Sequence, residues 1–257
     1  MRETKMLRTT ISDKFWKRLQ VLILDVGGHI TGFTRRHLEG IIWRARVGSP
    51  WRDIPDEFGK WNSIYRLFKR WCEKGIWESL CELIEGRHDL RSVFIDSTYV
   101  KRHQHASGAP PKKKTSIGKS RGGPTTKIHV AVDRKGDLVK IGLSAGNIDD
   151  ACFAEDFIGD IEAEEIVADR AYDSEYFRYE CRSSGLTPII PRRRTSKKPN
   201  PEFSRWKYRK RHLVENYIEK LKRYRGVSSR YDKLHQSFYG VVTLAAILIW
   251  AYKLRYV

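Results

Sequence analysis

The hydrophobic period of this chain changes once, near Arg91, and that change limits what each part can fold into. Before it, apolar residues recur at helical spacing. Leu38, Ile41, Ile42 and Ala45 fall at i, i+3, i+4 and i+7, and Ile64, Leu67, Phe68 and Trp71 form a second such face. Gly27-Gly28, Gly48-Ser49-Pro50, the stretch from Pro55 to Gly59, and Gly75 punctuate the pattern. The spacing predicts four helices. Asp13 caps the first, which runs through Leu24. Thr34 caps the second, Asn62 or Ser63 starts the third, and Trp77 to Ile84 makes the fourth. Residues 1–88 are therefore expected to be all-helical. Short helices with exposed Arg and Lys fit a helix-turn-helix reader of DNA, and equally a bundle used for packing or dimerisation.

After Arg91 strands appear. Ser92 to Val100 reads as one, Thr125 to Asp133 as the next, and Lys135-Gly136-Asp137 as a hairpin turn into Leu138 to Ser144. Asp149 or Asp150 caps a helix reaching about Ile161, Glu165 to Asp169 is a short buried strand, and Ser174 caps a helix that Gly185 closes. Thr187 to Ile190 is a last strand, stopped by Pro191. Trp206 to Arg225 reads as one long helix and Phe238 to Leu254 as a final apolar one. Three strands, then helices alternating with strands, imply an α/β domain over residues 89–257 with a mixed sheet covered on both faces. That order is the ribonuclease H-like arrangement.

Charge is concentrated. The 257 residues carry a formal net charge of +19. Lys101 to Lys127 holds 8 basic and no acidic residues, and Arg192 to Lys233 holds 16 basic and 4 acidic. The rest of the chain is close to neutral. A localised basic field binds a polyanion and releases its counterions, although a solvated basic surface has the same composition. The stretches Lys101 to Gly123, with Pro110-Pro111 and Lys112-Lys113-Lys114, and Pro191 to Ser204, with Arg192-Arg193-Arg194, read as long loops suited to clamping DNA.

Cys72, Cys81, Cys152 and Cys181 form no C-x-x-C pair and read as reduced core residues of a cytosolic protein. Met1 to Lys17 lacks the apolar core of a secretory signal. Val241 to Ala251 is too short to span a bilayer, so no membrane partner is expected.

Three acids stand out. Asp96 ends the apolar run Val93-Phe94-Ile95, Asp169 ends Ile166-Val167-Ala168, and Glu215 lies in the expected long helix. Acids at two strand ends and on a later helix suit a pair of divalent cations acting on a phosphodiester. Each also has a plain reading, since an Asp after a strand is often a cap or turn residue. On one helix at about 100° per residue, Tyr208, Arg211, Glu215 and Lys222 share an arc of roughly 60°. Trp206, Leu213, Val214, Tyr217 and Leu221 lie opposite. Such a stripe also describes charge pairs on a solvated helix. Glu219 is a rival for Glu215. His103 and His105 fit DNA contact or solvation better than a metal, and His129 on a core strand reads as structural.

Tyr208, Arg211, Glu215 and Lys222 resemble the "YREK" pattern of DDE transposases from bacterial insertion sequences. Val93 to Thr98 is similar to their first acidic motif, Gly118 to His129 to the segment entering their second core strand, and Ala168 to Ser174 to their second acidic motif. Trp51 to Pro55 and Trp61 to Phe68 resemble the helical region of the insertion-sequence-five type. The resemblance implies catalytic, metal-binding Asp96, Asp169 and Glu215, with Mg²⁺ as cofactor and Mn²⁺ as a substitute. It also implies binding of terminal inverted repeats and strand transfer into target DNA, by a homodimer or higher oligomer in a bacterial, nucleoid-associated setting. The expected DNA contacts are Lys119, Arg121, Lys127, Arg192, Arg193, Arg194, Tyr208, Arg211 and Lys222. Three competing readings are a nuclease that cuts without joining, a DNA-binding protein that is not an enzyme, and an RNA binder.

Overall fold

The computed structural model describes residues 10–84, 88–109 and 113–254. Pro110, Pro111 and Lys112 of the first basic stretch lie outside the described residues. Two compact units form. One joins residues 1–84 to 221–257, and the other spans 85–220.

The first unit is helical. It contains α1 (Asp13–Asp25), α2 (Thr34–Val47), α3 (Trp61–Glu73), α4 (Ile76–Ile84), the short α9 (Arg225–Ser228) and α10 (His235–Lys253). Ser12, not Asp13, caps α1, through an N–H bond from Phe15 to its hydroxyl. Thr34 is the first residue of α2 rather than its cap, and its hydroxyl accepts from the Thr31 N–H. α10 packs against α3, α4, α9 and α2. It approaches α3 and α4 closely because Gly240 has no side chain: a Cβ there would lie 2.7 Å from Cys72 Sγ. Thus α10 is apolar because this helical core surrounds it. The sequence places it in a 89–257 domain, whereas by packing residues from Leu221 onward belong with the N-terminal helices. No helix among the described residues is long and apolar enough to cross a membrane.

The second unit is α/β. Its elements are β1 (Val93–Arg102), β2 (Gly118–Ser120), β3 (Gly123–Val132), β4 (Leu138–Ala145), α5 (Asp150–Ile158), β5 (Glu165–Val167), α6 (Glu175–Ser183), β6 (Thr187–Ile189), α7 (Arg205–Arg209) and α8 (His212–Lys222). The boundary between the units falls in the last turn of α8. The sheet runs β4-β3-β1-β5-β6, with the short β2 also paired to β3. β3 runs antiparallel to both β1 and β4, while β5 and β6 run parallel to β1. This is the expected ribonuclease H-like mixed sheet. Val93, Ile95, Ala131, Ile166 and Ala168 face α5 and α6 and pack on Ala154, Phe157, Phe177 and Cys181. Side chains alternate across a strand, so Phe94, Asp96 and Val167 point to the other face.

Two expected elements differ. The first basic loop is partly ordered, because β1 continues to Arg102 and β2 pairs back onto β3. The long helix from Trp206 is two helices. Ser204 caps α7, and Lys210 and Arg211 form a turn closed by N–H bonds from Leu213 to Lys210 O and from Val214 to Arg211 O. Arg205 and Arg209, and Lys207 and Arg211, are like charges four apart, which disfavours a continuous helix. Past the break Glu215 sits in the first turn of α8, where a negative charge complements the helix N-terminus. The single stripe linking Tyr208 to Glu215 therefore does not exist as one helix face. Trp206, expected to pack inward, is 60% exposed. Of the four free cysteines, Cys72, Cys81 and Cys181 are buried as expected and Cys152 is exposed.

Candidate active site

Parallel pairing of β1 with β5 sets Phe94 opposite Val167. Carrying that register on by two residues brings Asp96 level with Asp169. Asp96 thus lies within β1 and Asp169 two residues past the end of β5, on neighbouring segments that share the sheet face opposite α5 and α6. Each carboxylate is steered by a backbone amide. Asp96 Oδ1 accepts from the Ser97 N–H at 2.8 Å, and Asp169 Oδ1 accepts from the Ala171 N–H at 2.7 Å. Asp169 is therefore also the cap of the turn Arg170–Tyr172. Its cap role and its place beside Asp96 coexist, because a carboxylate has a second oxygen.

Arg211 enters the same patch. One guanidinium nitrogen lies 3.1 Å from Asp96 Oδ2, and the other donates to Glu215 Oε1. The nitrogen facing Asp96 is buried and completes no hydrogen bond there, so its contact is one of charge without good hydrogen-bond direction. Burial raises the Asp96 carboxyl to about 6, and the negative charges of Asp169 and Glu215 add to that, while Arg211 and the Ser97 amide oppose it. Asp96 therefore feels both other acids. Glu215, not Glu219, is the helix acid in this group.

The donor set is carboxylate oxygen, which suits hard divalent cations. Among the described residues no three His, Cys, Asp or Glu side chains are gathered closely enough to hold a metal as they stand. The Arg211 guanidinium lies between two of the acids, spanning Asp96 and Glu215. A cation is what this patch of acid attracts, and the poor hydrogen-bond direction at Asp96 Oδ2 fits a spherical ion better than a guanidinium. By donor chemistry the three carboxylates suit a hard divalent cation.

The other expected residues divide. Lys119 and Arg121 are exposed at the β2–β3 turn, and Arg193 and Arg194 are exposed after β6. Tyr208 packs against Phe203, with the Arg211 guanidinium 5.9 Å from its ring centre. Lys222 is half-buried at the end of α8, where burial lowers its ammonium pKa; it belongs to the helical unit.

Two expected DNA contacts are corrected. Lys127 is 4% exposed, and its ammonium is held by Asp150 Oδ1 at 2.9 Å and Ile148 O at 2.7 Å, so it is not available to phosphate. Arg192 is spent on Asp173, Glu175 and the Pro199 carbonyl, which fold the second basic loop onto α6. His129 is structural as expected. It bonds Ser144 Oγ at 2.7 Å, stacks on Phe153, and burial depresses its pKa to about 4. His103 and His105 pair edge to face, with the His105 N–H bonded to His103 Nδ1. Sequence reasoning gave Asp150 only a possible capping role and Tyr172 only a place in the segment resembling the second acidic motif.

Residues 87–250 match the family described as "Transposase DDE domain". The chain belongs to the DDE transposase family. Residues 11–81 match a second description, "Putative transposase of IS4/5 family", which places it among the insertion-sequence transposases of that type. A Brucella ovis protein named "Putative transposase for insertion sequence element IS6501" is 30% identical over 49% of this chain and 98% of its own length. An uncharacterised Sinorhizobium fredii protein, y4sN, is 39% identical over 29% of this chain, which spans only 60% of that relative. Among solved structures, a pre-cleavage Mos1 transpososome aligns over 92% of this chain and 84% of its own at 10% identity, with a TM-score of 0.29. That likeness is too distant to bear on the site.

Proposed function

We propose that this DDE transposase binds the terminal inverted repeats of its insertion sequence, cleaves there and joins the freed 3′ ends to target DNA. The observation that carries the reading is the shared register of Asp96 and Asp169 beside the Arg211–Glu215 pair. In this reading Asp96, Asp169 and Glu215 would hold Mg²⁺, with Mn²⁺ a substitute. When bound, the ions activate the attacking water or 3′-hydroxyl and offset charge on the leaving oxygen. The protein's own part is to orient. The Ser97 and Ala171 amides aim the two aspartates, Arg211 exchanges its carboxylate partners for a phosphate, and half-buried Tyr208 with exposed Lys119, Arg121, Arg193 and Arg194 holds the backbone of DNA. Lys222 is assigned the same role on the strength of the family pattern.

Recognition of the ends is assigned to α3. Most of α2 is buried, including Leu38, Glu39, Ile41, Ile42 and Arg44, so it offers little to a groove. α4 carries Glu78 and Glu82. α3 buries Ile64, Leu67, Phe68 and Trp71 and exposes Asn62, Arg66, Lys69 and Arg70 on its opposite face. Asn and Arg are the side chains that pair bidentately with adenine and guanine edges in the major groove. α1 exposes Lys14, Lys17 and Arg18, suited to flanking phosphates. Joining two ends calls for at least two copies of the chain on DNA.

The test is a strand-transfer assay with duplexes carrying the element's ends, purified protein and Mg²⁺. End-cleaved and joined products that vanish in Asp96→Asn support the proposal. Cleavage without joining favours a plain nuclease. Binding alone, unaffected by Asp96→Asn, favours a DNA-binding protein that is not an enzyme.

A further inference from the structure

Behind Asp96 and Asp169, on the opposite face of the sheet, lies a buried polar cluster that the proposed reaction does not use. Ser97 follows Asp96 and so points the other way. Its hydroxyl donates to Asp150 Oδ1 at 2.7 Å. The same oxygen accepts from the Lys127 ammonium at 2.9 Å, and Lys127 also donates to Ile148 O at 2.7 Å. Lys127 lies directly across β3 from Tyr99, whose ring sits 4.9 Å from the ammonium. Tyr172 is buried, and burial together with the nearby negative charges of Asp150, Asp96 and Asp169 raises its hydroxyl pKa. Tyr172 closes the very turn that Asp169 caps.

The cluster thus brings three segments together. Ser97 ties the strand bearing Asp96 to Asp150 at the start of α5, and Tyr172 seats the turn bearing Asp169 near the same carboxylate. The Lys127–Asp150 pair is 4% and 15% exposed. A pair so deep costs desolvation and is kept when every donor and acceptor is matched. Lys127 meets that condition with two oxygens and an aromatic face. Asp150 gains further from the N-terminus of α5, which favours a negative charge.

We propose that Asp150, held by Lys127, is a positioning residue that sets the spacing and aim of Asp96 and Asp169 through Ser97 and Tyr172. It touches neither DNA nor cation. This rests on the reading of Asp96 and Asp169 as cation ligands. Groups that orient metal ligands change cation affinity by about 10–100-fold when removed.

The experiment titrates Mn²⁺ into the DNA-free full-length protein by calorimetry and separately measures DNA affinity against salt. The proteins are wild type, Ser97→Ala, Asp150→Asn, Lys127→Met and Asp96→Asn. Ser97→Ala is the mildest, removing one hydroxyl from a folded strand. The expected result is Mn²⁺ binding weakened about 10-fold or more in Ser97→Ala and Asp150→Asn, with DNA affinity and its salt slope as in wild type. Wild-type Mn²⁺ affinity in Ser97→Ala and Asp150→Asn, with only a lower melting temperature, overturns the proposal by making the cluster mere packing. A salt slope reduced by about one in Lys127→Met overturns it by making Lys127 a phosphate contact. If wild type and Asp96→Asn titrate alike, the cation reading itself has failed and the proposal falls with it. If Asp96→Asn alone loses binding, the cation reading stands and the positioning role fails.

Discussion

The Arg211 guanidinium reaches Asp96 and Glu215 at once, and so bridges a strand acid and a helix acid that lie 119 residues apart in the chain. A guanidinium and a divalent cation compete for those oxygens. Replacing Arg211 with Gln removes the internal competitor. The DNA-free variant is expected to bind Mn²⁺ several-fold more tightly and to melt lower without metal. The effect is bounded at about 1 kcal/mol because Glu215 is half-exposed and screened. Calorimetry and thermal melting with and without Mn²⁺ read both quantities. Unchanged or weaker binding would show that Arg211 does not stand in a cation's place.

The three acids are expected to fail separately. Asp96→Asn, Asp169→Asn and Glu215→Gln keep shape and remove one charge. Each should lower end cleavage by about 10²–10³-fold, the scale for losing a single group that stabilises reaction charge. Binding to end duplexes should persist in all three. Asp169→Asn carries an added cost, since its carboxylate caps the Arg170–Tyr172 turn. Glu219→Gln is the control, and its cleavage should match wild type. A Glu219 variant as defective as Glu215→Gln would move the helix acid by one turn.

The exposed face of α3 makes a distinct prediction about sequence reading. Arg66→Ala and Arg70→Ala should each cost about 1–3 kcal/mol in binding to end duplexes, and much less to unrelated duplexes. Lys14→Ala and Lys17→Ala on α1 should weaken both alike and reduce the salt slope. Competition binding at several salt concentrations separates the two behaviours. Equal losses on specific and unrelated DNA for Arg66→Ala would return α3 to the role of a solvated face.

Much of the fold could be read because local chemistry and tertiary need agree. Ser174 and Gly185 bracket α6, and the Lys135-Gly136-Asp137 turn joins β3 to β4, as residue type dictates. Asp96 and Asp169 could be read because each follows a short apolar run that suits a buried strand. What could not be read depends on partners distant in sequence. Lys127 looks like a phosphate ligand until Asp150 is seen beside it. Arg192 looks the same until Asp173 and Glu175 claim it. The break at Lys210 and Arg211 defeats a helical wheel, because apolar spacing says nothing of like charges accumulating along one turn. α10 reads as a buried helix, but the sequence does not say which core buries it.

Asp133 offers a test of stability apart from the candidate site. It is fully buried at the β3–β4 turn, where Oδ1 accepts from the Lys135 and Asp137 amides and Oδ2 from the Asp89 amide. Burial alone would raise its pKa, but those three amides and the His88 imidazole, 3.8 Å away, outweigh burial and bring it to about 2, from an ordinary 3.8. A group depressed on folding stabilises fully above its unfolded pKa and loses that contribution as pH falls through its folded pKa. Here the window runs from near pH 4 down to about 2, and about 2 kcal/mol is at stake. Asp133→Asn keeps the shape but sets an amide against the Asp89 N–H. It should unfold more easily at pH 7, and its stability deficit relative to wild type should shrink as pH falls through that window. Urea unfolding of both proteins at pH 7, 4, 3 and 2.5 measures the difference. Curves that stay parallel down to pH 2.5 would mean that Asp133 is held by packing rather than by its charge.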